Sequence, residues 1–314
     1  MYAVDDVSLT LRAGEVLGIA GESGCGKSSL ASVLALNARP PLYVRSGSMC
    51  FESSEISLVE QAHASSDWRG KLLSLLPQGA MNALNPTLRV RDMAVDVIRA
   101  HEPEITRDAA IARAAERMQQ LGLPPRVLES YPHELSGGMR QRVVAAVSTI
   151  LNPRVLIADE PTSALDVSSQ RALAAMLKDL LARDFIAGII FISHDLALLS
   201  NVAHRIAIMY AGQIVETATV AEIIHRPRHA YTRALIASVL VPDRQHGRGR
   251  IHGIGGAPPD LRYPPGGCRF NPRCPLATDV CREQPPPAVA WANGSTASCW
   301  ECTPARAPLE AVAP

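Results

Sequence analysis

Gly21-Glu22-Ser23-Gly24-Cys25-Gly26-Lys27-Ser28 fits the pattern G-x-x-x-x-G-K-[ST]. In that pattern glycines let backbone N–H groups cradle phosphates, Lys27 reaches the β and γ oxygens, and Ser28 ligates Mg²⁺. The helix N-terminus behind the loop, from Ser28-Ser29 onward, adds a dipole favourable to an anion. The chain has only three Lys, at 27, 71 and 178, so a chance lysine at this spacing is rare. An ordinary glycine turn is the competing reading, and the flanks argue against it. Val16 to Ala20 reads as an apolar strand leading in, and a helix through Leu36 leads out. Strand, glycine loop and helix in this order predict an α/β fold.

Working outward, Val7 to Leu11 reads as an earlier strand, closed by a turn at Ala13-Gly14. Residues 105–121 are predicted helical, with Ala110, Ile111, Ala114, Ala115, Met118 and Leu121 on one face and Gly122 as the stop; Pro124-Pro125 then breaks the chain. A helix from Met139 to Leu151 ends at Asn152-Pro153, and Val155 to Ala158 follows with the length of a buried parallel strand. Helix and strand repeat at Gln170–Ala182 and Ile189–Ile192. Ile206–Met209 and Gln213–Glu216 flank Ala211-Gly212, a hairpin signal, and two helices follow, Val220–His225 and Tyr231–Leu240.

The 314 residues suffice for about two domains and, at 47% hydrophobic, for a sizeable core. With 31 Lys plus Arg against 30 Asp plus Glu, there is no global basic field, so a nucleic-acid partner is disfavoured. The longest apolar runs, 143–151 and 187–193, fall short of the ~20 residues that span a bilayer. Asp5 and Asp6 stand where a secretory signal needs a positive flank, so a cytoplasmic location is expected. The strongest boundary is compositional: the last 73 residues hold five of the seven Cys and 13 of the 24 Pro. We place one domain at 1–240 and a Cys/Pro-rich extension at 241–314, too poor in aliphatic residues for a core of its own without a staple. Residues 226–273 carry nine Arg against two acids; a solvated face is the expected reading, with lipid headgroup contact the alternative.

Val155-Leu156-Ile157-Ala158 delivers Asp159 and Glu160 to the carboxyl edge of a sheet, where open α/β folds bind ligands. Asp159 should hold Mg²⁺, directly or through water. Glu160 would polarise the attacking water as general base. Leu135-Ser136-Gly137-Gly138-Met139-Arg140-Gln141 opens a helix with a serine and two glycines, suited to a phosphate, although a capped helix start explains Ser136 equally.

These segments, with Ser163-Ala164-Leu165-Asp166 and Ser193-His194-Asp195 in this order and spacing, resemble the nucleotide-binding domain of ABC transporters over about residues 3–240. The resemblance implies a P-loop NTPase fold, a RecA-like core plus a helical subdomain at about 87–152. Within that family the chain resembles the ATP-binding subunits of oligopeptide and dipeptide importers, through Gln78-Gly79-Ala80-Met81-Asn82-Ala83-Leu84-Asn85-Pro86, Tyr131-Pro132-His133-Glu134 and the tail Gly267-Cys268-Arg269-Phe270-Asn271-Pro272-Arg273-Cys274-Pro275. That implies MgATP sandwiched in a head-to-tail dimer, between the Lys27 loop of one domain and Ser136-Gly137-Gly138 of the other. By the same resemblance Gln78 touches Mg²⁺ or water, Asp166 crosses the interface and His194 contacts the γ-phosphate. It also implies two transmembrane permease subunits, a second ABC ATPase subunit (a heterodimer favoured over a homodimer), an extracytoplasmic solute-binding protein, and a peripheral place on the cytoplasmic face of the plasma (inner) membrane. Peptide, nickel or another solute stays open as cargo. A soluble ABC ATPase with an iron–sulfur element, acting on ribosomes, DNA or a multi-enzyme complex, is the rival. A non-hydrolysing module is disfavoured because Glu160 is intact.

Two departures from the family stand out. Its members usually carry an upstream strand with an aromatic that stacks on adenine, whereas here Met1-Tyr2 opens the sequence; either the start is shorter or Tyr2 substitutes. Cys25 stands where relatives commonly have Ser, either as a tolerated small residue or as a thiol whose pKa the amides and Lys27 lower.

Cys268-x5-Cys274-x6-Cys281-x17-Cys299, with Cys302 three residues on, is dense enough for a four-thiolate site. Disulfides are disfavoured in a reducing compartment, and spacing alone does not choose zinc or iron. The resemblance to peptide-importer tails, some of which carry a [4Fe-4S] cluster on such cysteines, favours iron–sulfur over zinc, with Cys302 as a spare ligand.

Overall fold

The computed structural model describes residues 1–59, 68–79, 83–163, 165–238 and 253–302. Along the chain run β1 (Glu15–Ala20), α1 (Lys27–Leu34), β2 (Ser48–Phe51), β3 (Ser54–Ser57), β4 (Leu73–Leu76), α2 (Val90–His101), α3 (Arg107–Gln120), α4 (Gly137–Ser148), β5 (Val155–Asp159), α5 (Val167–Ala182), β6 (Gly188–Ile192), α6 (Leu196–Val202), β7 (Arg205–Tyr210), β8 (Gln213–Thr219), α7 (Val220–His225), α8 (Ala230–Ser238), α9 (Asp279–Glu283), β9 (Val289–Ala290) and β10 (Thr296–Ala297). The chain divides into two compact units, one of residues 11–16 and 28–192, the other of 1–10, 17–27 and the described part of 193–314.

In the first unit β4, β5 and β6 are parallel neighbours, with Leu73 opposite Val155 and Ala158 opposite Phe191. Every residue of β6 is buried, as are Leu156 to Asp159 of β5. That burial on both faces explains their continuous aliphatic sequence. In α2 the residues Val90, Ala94, Val95 and Ile98 form the buried stripe of an amphipathic helix. Thr106 caps α3 by accepting from the Ala109 N–H, and Ala110, Ala114 and Met118 are its buried face, as the pattern predicts. Gly122 follows with φ +67°, the left-handed stop expected there. Arg117, also buried, stacks its guanidinium 4.8 Å from the Phe185 ring centroid and donates to Asn152. The short hairpin β2–β3 packs Met49, Phe51 and Ile56 against a cluster of Leu36, Leu58, Trp68 and Leu73; strands of four residues are too short for periodicity to flag.

In the second unit β1 pairs in parallel with β7 from Leu17–Arg205 to Ala20–Ile208. β7 returns as β8 through Ala211 (φ +47°) and Gly212 (φ +86°), both left-handed as a two-residue hairpin loop of the twisted kind requires. Beyond 253 the tail adds strands to this sheet: β10 pairs with β8, Thr296 opposite Thr217, and β9 with β10. The tail therefore borrows the core of its neighbours, burying Phe270, Ala297 and Cys299.

The expected strand at Val7–Leu11 does not form. Val7 and Leu9 are half-buried in alternation with exposed Ser8 and Thr10, but among the described residues no strand pairs with the segment, and alternation without a ladder partner does not make a strand. Among the described residues no helix is long and apolar enough to cross a membrane.

Candidate active site

The loop after β1 is shaped by close backbone approach. A Cβ on Gly21 (φ +156°) would lie 2.1 Å from the Met209 carbonyl oxygen, and one on Gly26 (φ +108°) 2.1 Å from that of Ala3, so only glycine fits either place. Lys27, 5% exposed, donates through Nζ to the carbonyl oxygens of Gly21 (2.8 Å) and Glu22 (3.0 Å) and sits 3.8 Å from Cys25 Sγ. The Cys25 thiol is nonetheless pushed up, because burial outweighs the Lys27 ammonium. The activated-thiol reading of Cys25 is thereby corrected to that of a buried small residue. The Glu22 N–H donates to the Tyr231 hydroxyl at 3.0 Å, which takes that amide out of the set facing a ligand. Tyr2 is about half exposed.

In the other unit, Ser28 on the first turn of α1 donates through Oγ to Asp159 Oδ1 at 3.3 Å. Asp159, the last residue of β5, is 6% exposed. A hydroxyl and a carboxylate in contact are two hard oxygen donors of the kind Mg²⁺ takes. Glu160 follows with φ +44°, a sparsely populated conformation for a non-glycine residue and common at functional sites; its N–H is fixed by the Ile192 carbonyl at 3.0 Å. Gln78, two residues past the end of β4, donates from Nε2 to Glu160 Oε2 at 3.2 Å. Four residues distant in sequence, Ser28, Gln78, Asp159 and Glu160, are thus linked in pairs at the carboxyl ends of β4 and β5.

Ser136 caps α4, its Oγ accepting from the Met139 N–H at 3.3 Å, so the capping reading of this serine holds alongside any ligand role. Gly138 is close to α5: a Cβ there would stand 3.3 Å from Ser169 Oγ. Asp166 caps α5, accepting from the Ser169 N–H (3.0 Å) and hydroxyl (2.7 Å), and these bonds hold its carboxyl below the usual range. Asp166 is exposed, as is His194, which stands in the bend between Ser193 and the α6 cap Asp195.

In the tail, Cys268, Cys274, Cys281 and Cys299 line one small cavity of about 20 Å³, together with His229 and Phe270. Burial, then the neighbouring charges of Cys299, Cys274 and Cys281, push the Cys268 thiol up to about 11. Among the described residues no group of three or more His, Cys, Asp or Glu is disposed to hold a metal ion. Cys302 stands beside them: its Sγ lies 3.0 Å from the Arg228 carbonyl oxygen, and its hydrogen bond to the Cys299 sulfur holds the Cys299 thiol down at about 6. The solvated-face reading of residues 226–273 fails for three arginines. Arg228 pairs with Glu222 at 3.0 Å, Arg269 with Asp5 and the Ala211 carbonyl, and Arg273 with Glu22. The sequence carried no signal for these partners, because each lies tens to hundreds of residues away or, like Glu222, beside a capping threonine that masks its second role.

The lysine-bearing glycine loop of one unit and the serine–aspartate and glutamine–glutamate pairs of the other are each of a kind that handles phosphate, and comparison specifies the class. Residues 4–163 match the ABC transporter family and residues 215–281 the oligopeptide/dipeptide transporter C-terminal region; the chain belongs to the ABC transporter family. It is 41% identical over 303 residues to the oligopeptide transport ATP-binding protein OppD of Bacillus subtilis (strain 168), covering 96% of this chain and 84% of that one. It is 36% identical over 299 residues to the dipeptide transport ATP-binding protein DppD of Escherichia coli (strain K12), covering 95% and 90%. A dimeric ATP-binding cassette, MJ0796, bound to ADP and Pi superposes with a TM-score of 0.60 at 24% identity over 70% of this chain and 91% of that one, a likeness of fold.

Proposed function

We propose that this chain is the ATP-hydrolysing subunit of an importer of di- and oligopeptides, peripheral on the cytoplasmic face of the membrane that holds its permeases. The observation that carries the hydrolytic part is the Gln78–Glu160 hydrogen bond at one strand end beside the Ser28–Asp159 contact. The loop from Gly21 through Ser29 receives the triphosphate, and Lys27 exchanges the carbonyls of Gly21 and Glu22 for β and γ oxygens. Ser28, Asp159 and Gln78 would hold Mg²⁺, whose charge would offset that of the phosphates. Glu160 takes the proton of the attacking water, oriented by Gln78, while His194 contacts the γ-phosphate.

The second half of each site is Ser136-Gly137-Gly138 and Asp166 of another such domain, in a heterodimer by preference; residues 1–240 form that domain, 87–152 its helical part, and 241–314 the extension. Permeases and a solute-binding protein complete the system. The names of the relatives, peptide transport ATP-binding proteins, and the match of residues 215–281 support this assembly over a soluble ATPase working on ribosomes or DNA.

Glu160→Gln is expected to bind MgATP but hydrolyse it at least ~100-fold more slowly, the scale of general-base loss; wild-type turnover would refute the assignment. Purification of the tagged protein from detergent-solubilised membranes should bring two polytopic permeases and a second ATPase, and their absence would refute the importer.

The tail cysteines extend the proposal. Cys268, Cys274, Cys281 and Cys299 share one cavity, and a four-thiolate donor set suits zinc or an iron–sulfur cluster. The resemblance of the tail to those of peptide-importer subunits is what favours [4Fe-4S] over zinc. When bound, such a cluster would staple a tail poor in aliphatic residues. Anaerobically purified protein should carry iron and sulfide, and stoichiometric zinc without iron would reverse the choice.

A further inference from the structure

Glu22, the second residue of the phosphate loop, is gripped twice by the C-terminal half of the chain. Its N–H donates to the Tyr231 hydroxyl at 3.0 Å, and its carboxylate receives Arg273 in a two-pronged pair, Nη1 to Oε2 at 2.6 Å and Nη2 to Oε1 at 3.0 Å. Arg273 is itself fixed: its side chain is 5% exposed, Nε donates to the Gly255 carbonyl at 2.8 Å, and Nη1 reaches the Tyr210 hydroxyl at 3.3 Å. Three residues earlier Phe270, 1% exposed, is wedged among Tyr210, Tyr231 and His229, with ring centroids at 5.2, 5.4 and 6.2 Å. Arg269 pins the same segment to Asp5 and the Ala211 carbonyl. The arginine that meets the loop is therefore part of an anchored segment.

We propose that Arg273 is a positioning residue for the nucleotide, setting the phosphate loop through Glu22. Two physical effects follow from the geometry. The planar fork of Arg fixes both carboxylate oxygens, and with the Tyr231 hydroxyl on its N–H it holds Glu22, and so the start of the loop, in place before a nucleotide arrives. The guanidinium also cancels a carboxylate that would otherwise stand unmatched in a loop built for a polyanion; removing one partner of a mostly buried pair leaves the other uncompensated. The tail thereby contributes to nucleotide affinity through the loop. This inference rests on the reading of the loop as an ATP site.

The test is a titration of a fluorescent ATP analogue, with KM and kcat for MgATP, on wild type, Arg273→Gln, Arg273→Lys and the double variant Glu22→Gln/Arg273→Gln. Arg273→Gln should weaken nucleotide binding and raise KM about ten-fold, with kcat within about two-fold. Arg273→Lys should lie between wild type and Arg273→Gln, because the charge is kept but the planar fork is lost. The double variant should recover only the part of the loss due to the bare carboxylate and lie between Arg273→Gln and wild type, because the fork that positions Glu22 is still missing. Arg273→Gln within two-fold of wild type would overturn the inference, and so would a double variant restored to wild-type affinity, because the tie would then position nothing. Should Arg273→Gln fail to fold, reciprocity supplies a test on the wild-type protein: MgADP must slow amide exchange at residues 266–275, and unchanged exchange would overturn the inference. If wild type binds no nucleotide in the same titration, the ATPase reading fails instead.

Discussion

The phosphate loop at Gly21–Lys27 is shaped by what its backbone cannot carry, the tail segment at Cys268–Cys274 by how far its side chains reach. In the loop, Gly21 and Gly26 approach the carbonyls of Met209 and Ala3 so closely that any Cβ would collide, and the one buried cation is satisfied by carbonyls five and six residues away in sequence. In the tail, Arg269, Phe270 and Arg273 are satisfied by Asp5, Tyr210, Tyr231 and Glu22, up to 264 residues away. Local steric requirement leaves a motif in the sequence. Long-range complementarity leaves only an arginine and a phenylalanine in a loop.

If that contrast is right, the loop should fail abruptly on the smallest change. Gly21→Ala forces a Cβ to 2.1 Å from a backbone oxygen at φ +156°, and is expected to destabilise the protein by more than ~3 kcal/mol and abolish nucleotide binding; a wild-type melting curve would break the comparison. The tail should fail in proportion to the contact removed. Phe270→Ala empties a fully buried aromatic site and is expected to cost about 3 kcal/mol, with a lowered thermal midpoint as the readout; a change below ~1 kcal/mol would mean the tail is not seated on that cluster.

A smaller effect sharpens the far end of the tail, where Glu222 accepts from Arg228 (3.0 Å) and Asn293 (2.6 Å) as well as capping α7 through Thr219. Burial pushes its carboxyl up, but the bonds from Thr219, Arg228 and Asn293 outweigh that and hold it at about 2 against an ordinary 4.5. Its folded-state value is depressed, so its contribution is complete above pH 4.5 and disappears as pH falls towards 2. With the side chain 19% exposed, about 1–2 kcal/mol is expected. Glu222→Gln should flatten the acid limb of the stability curve, and an unchanged limb would remove Glu222 from the tail's supports.

The readable parts of the molecule share a local cause. The helices at 107–120 and 137–148 and the strands at 155–159 and 188–192 follow from periodicity and from stops such as Gly122 and Asn152-Pro153. The hairpin at Ala211-Gly212 follows from its turn. Val7–Leu11 alternates like a strand and is none, because pairing depends on a neighbour that the segment itself does not encode. Asp166 and Ser136 read as ligand residues, and in the folded chain both also cap helices, a double use that spacing cannot separate. Cys25 reads either as a tolerated small residue or as a thiol that Lys27 could activate, and burial, which only packing reveals, pushes the thiol up and favours the first.

By itself the sequence determined the chemistry: a glycine loop with one lysine, a strand ending in Asp159-Glu160, and a cysteine count too high for a tail so poor in aliphatic residues. These are properties of residues within a few positions of each other, where sterics and hydrogen-bond reach are set by chain geometry. Only the tertiary structure decided that Arg269 meets Asp5, that Phe270 sits among Tyr210 and Tyr231, and that Arg273 holds Glu22. Each of those contacts joins side chains whose separation along the chain carries no information about their distance in space.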